Sequence, residues 1–172
     1  MVTMLDVNST AGKRAAVIQD FARSELFDRT FQEGMDLVEE TAAYLDGAGR
    51  QESKLLSRNA ALGYAAESMR LTTRLMQVAS WLLVQRAVRE GDMPPESACE
   101  DRYRLSGDQP GGAASEGDHG LPSSLLTLLE RSERLYERVC RLDRRMYLDV
   151  PQAENGQSVL AQFDRLRSAF GG

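Results

Sequence analysis

Residues 125–146 read LLTLLERSERLYERVCRLDRRM, and this stretch decides the fold class. Leu125, Leu128, Ser132, Leu135, Val139, Leu142 and Met146 follow one another at spacings of 3, 4, 3, 4, 3 and 4. That repeat averages about 3.5 residues and keeps one stripe of a helix turned toward a neighbour. A strand would bring successive inward residues two apart and cannot produce it. Pro122 suits the first turn, where its missing N–H has no intrahelical use. Asp149, Val150 and Pro151 then close the segment, so the spacing predicts a helix over about 122–148.

Working backward, two more stretches carry helical periodicity. Residues 54–90 predict a helix roughly 55 Å long at ~1.5 Å per residue, ended by Gly91. Leu55, Leu62, Ala66, Met69, Thr73, Met76, Ser80, Leu83 and Ala87 form one row. Leu71, Leu75, Val78 and Leu82 form a second, read as about a third of a turn away. Two rows imply two neighbours, as the middle helix of a bundle needs. Residues 21–46 predict the remaining helix. Phe27, Phe31, Val38, Ala42 and Leu45 share a face, Gly34 marks a close helix contact, and Gly47 supplies the stop. The expected architecture is an all-α, antiparallel three-helix bundle with a flexible N-terminus over 1–20.

Gly91 to Gly120 stands apart. It holds Pro94, Pro95 and Pro110, and its seven acids against two bases leave −5, equal to the net charge of the whole 172-residue chain. This composition predicts a disordered linker. The tail, 149–172, is polar until Val159. Val159, Phe163, Leu166 and Phe170 then fall at i, i+4, i+7 and i+11, a short amphipathic segment that is not stable alone. With Arg165 and Arg167 it fits a helix that docks in a partner's groove.

The chemistry of enzymes is scarcely represented. The one histidine, His119, sits in the linker, where nothing fixes it as a general base. Cys99 and Cys140 make no CxxC, and one histidine is too few for a zinc or di-iron site. Arg138 and Arg141 flank Cys140 and could lower its thiol pKa, but no histidine on a structured element could act with it. No metal, cofactor or catalytic residue is expected. No apolar run approaches the roughly 20 residues of a membrane span, and nothing at the N-terminus reads as a secretory signal, so a cytoplasmic protein is expected. The acidic balance argues against direct nucleic-acid binding.

What remains is binding. Trp81, placed opposite the Met76 and Leu83 row among Arg74, Gln77 and Gln85, has the composition of an interface hot spot if it is exposed; the plainer reading packs it at a bundle edge. Arg131, Arg134, Arg138, Arg141 and Arg145 form a basic ridge, either a docking surface for an acidic partner or a solvated face laced by Glu130–Arg134 and Glu137–Arg141 pairs. The second apolar row, with Leu26, Leu37 and Tyr44 on the first helix, leaves more apolar surface than three helices cover and predicts a homodimer. The candidate protein-binding residues are therefore Arg74, Gln77, Trp81 and Gln85 on the bundle, with Val159, Phe163, Leu166 and Phe170 in the tail.

Residues 70–88, RLTTRLMQVASWLLVQRAV, and 33–49, EGMDLVEETAAYLDGAG, resemble the family of the regulator of CtrA degradation, RcdA. That resemblance implies a three-helix bundle with flexible segments and no catalytic residues. It implies an adaptor of the ClpXP protease, working with a response-regulator partner and residing at the cell pole. The implied cargo includes cell-cycle transcription factors, some delivered through a cyclic-di-GMP effector protein. The alternative reading of the sequence is a helical scaffold or a DNA-associated regulator of the cell cycle.

Overall fold

The structure, a computed structural model, describes residues 4–105 and 120–147. The described chain is all-α: α1 (Met4–Ala22), α2 (Glu25–Asp46), α3 (Ala48–Lys54), α4 (Arg58–Glu90), α5 (Pro95–Ala98), a 3-10 turn at Asp101–Tyr103, and α6 (Ser123–Tyr147). The boundaries have local causes. Ser24 caps α2 by accepting from the Phe27 amide, and Ser57 caps α4 by accepting from the Ala60 amide, both at 3.2 Å. Gly91 ends α4 at φ 81°, the left-handed conformation that terminates helices cheaply only with glycine.

Pairings across the bundle fix its directions. Asp28 pairs with Arg89, and the Arg86 guanidinium lies 5.1 Å from the Phe31 ring centroid, so α2 and α4 are antiparallel. Glu33 meets Arg138 and Glu40 meets Arg131, each at 2.6 Å, so α2 and α6 are antiparallel as well. Arg74 reaches Ser132 at 2.9 Å and Trp81 reaches Asp143 at 3.0 Å, so α4 and α6 run in the same direction. The chain leaves α4 at Gly91 and must return to Gly120, which sits beside Ala60 at the other end of that helix. Thirty residues of helix span about 45 Å. The length of the 91–120 connection is thus a geometric requirement of two parallel neighbours.

The core joins α1, α2, α4 and α6 around Ile18, Phe27, Leu37, Leu71, Leu75, Val78, Trp81, Leu82, Leu125, Leu135 and Val139. The seam of α6 is buried nearly throughout, with Leu142 only half-buried. Gly34 lets α2 pack tightly on α4: a Cβ there would stand 2.6 Å from Leu82 Cδ1.

Three expectations are corrected. Of the expected flexible lead-in over 1–20, residues 4–20 instead belong to α1, because Ala15, Ile18 and Ala22 recur on one face and are buried against the bundle. Residues 91–105 are not disordered, because the return path lies along the bundle and buries Ala98 completely, with Met93, Cys99 and Leu105 packed beside it. Residues 106–119 of the expected linker, and the tail beyond 147, lie outside the described residues. On α4 the two apolar rows are on opposite sides, and only the Leu71, Leu75, Val78 and Leu82 row is inside.

The close approach at Gly34 yields a prediction. Gly34→Val should lower stability by about 2 kcal/mol through overpacking against Leu82. Gly12→Ala, whose Cβ meets nothing within 4 Å, should raise it by up to ~1 kcal/mol through helix propensity. Urea unfolding followed by circular dichroism distinguishes the two.

Candidate protein-interaction surface

The expected patch around Trp81 is interior. Trp81 is 1% exposed, Arg74 and Gln85 are also buried, and Gln77 is half-buried. Exposed placement was wrong because α4 turns its Leu71–Leu82 row, and the flank beside it, toward α1 and α6. There Trp81 and Arg74 find partners, while both polar atoms of the Gln85 amide are buried without a hydrogen bond. Trp81 Nε1 donates to Asp143 Oδ1 at 3.0 Å, and the indole packs against Phe21 with centroids 5.7 Å apart. Arg74 Nη1 donates to Ser132 Oγ at 2.9 Å. Gln85 lies beside Tyr147, whose hydroxyl donates to the Ala98 carbonyl at 2.5 Å. Burial pushes that hydroxyl up to about 12, with Gln85 pulling the other way.

Asp143, 2% exposed, gathers this end of the bundle. It accepts from Trp81 on α4 and from the Leu105 amide at 3.3 Å, and it meets Arg104 Nη2 at 3.4 Å. Arg104 in turn lies 5.3 Å from the Tyr147 ring centroid. One buried carboxylate therefore ties the returning segment to both α4 and α6.

What α4 offers to solvent is its other side. Met69 is 71% exposed, Leu62 66%, Met76 65% and Leu83 52%. Side by side with them, Ala66, Thr73 and Ser80 are exposed too. A groove of about 300 Å³ opens between α2 (Val38, Thr41, Ala42, Leu45) and α4 (Thr72, Leu75, Met76, Ala79). Another, of about 480 Å³, lies between α4 and Arg102–Leu105. Met76 borders both. Sequence reasoning placed this row in the core. The signal that could have corrected it was the company it keeps: Ala66, Thr73 and Ser80 share its side, whereas the inner row consists of leucine and valine alone.

Three of the five arginines of the basic ridge of α6 are engaged by carboxylates, while Arg141 and Arg145 are exposed. Arg138 binds both carboxylate oxygens of Glu33, at 2.6 and 3.0 Å, Arg131 binds Glu40, and Arg134 pairs with Glu130. The Arg138 guanidinium pKa is raised first of all by its hydrogen bond to Glu33. Exposed pairs of this kind add little stability, under about 1 kcal/mol each, but they spend the charge that an acidic partner would need.

Nothing among the described residues points to catalysis. No three His, Cys, Asp or Glu side chains there stand close enough to hold a metal ion. Burial raises the thiol pKa of Cys140 and of Cys99, so neither is an activated nucleophile. His119, Val159, Phe163, Leu166 and Phe170 lie outside the described residues. No helix among the described residues is long and apolar enough to cross a membrane.

An all-α bundle with a polar-latched interior and an apolar face left open is the build of a protein that binds other proteins. The chain belongs to the family described as "Protein of unknown function (DUF1465)", whose profile matches residues 18–170. It is 72% identical to RcdA from Caulobacter crescentus CB15, whose crystal structure superposes with a TM-score of 0.62 over 76% of this chain and 98% of that one. The chain is thus a member of the RcdA family. No curated protein matches it.

The Asp143 junction makes a stability prediction. Asp143→Ala strands the Trp81 and Leu105 donors in the interior, and each lost partner costs ~1–3 kcal/mol. The variant should lose about 3 kcal/mol in urea unfolding, and the Leu105 amide should exchange with deuterium far faster. Trp81→Phe removes one donor with its bond and should cost less, leaving Leu105 protected.

Proposed function

We propose that this chain is a non-enzymatic adaptor that helps deliver cell-cycle regulators to the ClpXP protease. The observation that carries the reading is the 72% identity to RcdA along nearly the whole of that chain. The open apolar side of α4 supports it, because contiguous exposed apolar surface marks a place where another protein docks. An adaptor acts by holding cargo near the unfoldase, raising its effective concentration without any chemistry of its own. The proposed partners are ClpXP with its response-regulator partner, cargo such as cell-cycle transcription factors, and a cyclic-di-GMP effector protein, in the cytoplasm and at the cell pole. We further infer that the working form is a homodimer.

Within this reading the interior residues Arg74, Trp81 and Gln85 support the binding surface from beneath, and Gln77 reaches it at the edge of the larger groove. Val159, Phe163, Leu166 and Phe170 supply a second, linear docking element. Its affinity is modest because ordering it on binding costs conformational entropy. The DNA-associated alternative is weakened by the pairing of three ridge arginines, Arg131 and Arg138 with α2 and Arg134 with its own helix.

A reconstituted degradation assay tests the proposal. Adding the full chain to ClpXP, the response regulator and a candidate cargo should speed cargo loss several-fold. Deleting 159–172 should reduce delivery of at least one cargo while leaving the melting temperature nearly unchanged. If no cargo is accelerated, or if the protein is recovered from lysate only through nuclease-sensitive complexes, the adaptor reading is wrong.

A further inference from the structure

The groove between α2 and α4 differs at its two ends. Its walls are mainly apolar residues of both helices, and Asp46 is the one charged residue lining it. The two helices are antiparallel, so Val38 and Ala79 stand at one end and Asp46 and Thr72 at the other. From Val38 to Asp46 the groove runs about 12 Å along α2. Asp46 is exposed and pairs with no cation among the described residues. An apolar trough with an unpaired carboxylate at one end fits an apolar helix face bordered by a single cation.

The tail of this chain carries such a face. Val159, Phe163, Leu166 and Phe170 share one side of a helical period. At about 100° per residue Arg167 borders that side, whereas Asp164 and Arg165 fall well away from it. We propose that this segment docks in the α2–α4 groove of its own chain, parallel to α2, with Arg167 paired to Asp46. As a helix, Phe163 to Phe170 spans about 11 Å, close to the length of the groove. The other groove, between α4 and Arg102–Leu105, is lined by Arg102 and Arg104 and by no carboxylate, so it offers Arg167 no partner.

The course of the chain brings the tail to this groove and sets its direction. Tyr147, the last described residue, lies beside Gln85, which is six residues past Ala79 on α4. The tail therefore starts about 9 Å beyond the Val38–Ala79 end, measured along α4. Residues 148–158, when extended, span up to ~36 Å. That is enough to round α4, a helix ~10 Å across, and to enter from that end. Entry there runs the segment parallel to α2 and carries Arg167 toward the far end, where Asp46 lies. Docking within one chain needs little intrinsic affinity, because a tether holds the tail at an effective concentration of roughly millimolar. A partner that holds the tail more tightly, or that covers the groove, displaces it. This placement rests on the docking role proposed above for the tail, and adds where the tail is kept between partners.

Paramagnetic broadening in the full chain tests the placement. A spin label at Ser168→Cys sits away from the apolar face, in a Cys99→Ser, Cys140→Ser background. It should broaden the amides of 38–46 and 72–79 most, and those of 95–105 less. Arg167→Glu should lower that broadening several-fold, and adding Asp46→Arg should restore it. The chain with both native cysteines gives an independent reading: Phe163→Glu with Phe170→Glu should shift the amides of 38–46 and 72–79. No broadening, broadening centred on 95–105, no restoration by the charge swap, or unmoved groove amides in the double glutamate variant overturns the proposal. Broadening that reaches an isotope-labelled chain only from spin-labelled second copies, and fades on dilution, places the tail on another copy and overturns it too. Cargo delivery separates this from the adaptor reading. If deleting 159–172 reduces delivery while the label finds no groove contact, the placement fails and the docking role stands. If the label finds the groove and the deletion changes no delivery, the placement stands and the docking role fails.

Discussion

The hydrogen bonds converging on Asp143 are the constraint on which this bundle turns. A carboxylate this deeply buried is costly unless its oxygens are occupied. Here an indole N–H from α4 and the Leu105 backbone N–H both donate to Oδ1, and the Arg104 guanidinium meets Oδ2. The donors come from two parts of the chain and the carboxylate from a third, so satisfying the charge links α4, α6 and the end of the returning segment. The neighbouring Arg74–Ser132 and Tyr147–Ala98 bonds extend the same latch along the α4–α6 contact.

The parallel course of α4 and α6 is the second determinant. Antiparallel neighbours can be joined by a short loop, as α2 and α4 are through α3. Parallel neighbours cannot, and the chain must retrace the bundle. That return places α5 against α1 and buries Ala98, so a segment whose proline, glycine and acid content suits solvent is in part structural. Composition describes what a segment prefers in isolation; a path imposed by the helices on either side can override it.

The division between inside and outside bears directly on function. Trp81 and Arg74 are drawn inward with partners for their N–H groups on α6, while leucine and methionine are left on the surface of the same helix. Methionine suits such a surface, since its flexible thioether adapts to the shape of what docks on it. Arg131 and Arg138 of α6, by contrast, are drawn into cross-helix pairs with Glu40 and Glu33 that staple α2 to α6.

Periodicity and capping chemistry, which act over a few residues, determined from sequence alone that this chain is helical. They placed α6 within about a residue, found the end of α4 at Gly91, and marked Gly34 as a close contact. They also made an enzyme an unattractive reading, since one histidine and two cysteines cannot build most sites. The short strings at 33–49 and 70–88 carried the family. Which of two apolar rows on α4 faces the core was not decided locally, because either row alone makes a helix amphipathic. That choice belongs to the tertiary structure: only the assembled bundle brings Asp143 to Trp81 and Ser132 to Arg74, and a buried polar group settles where its partner is, not where its own neighbours in sequence point.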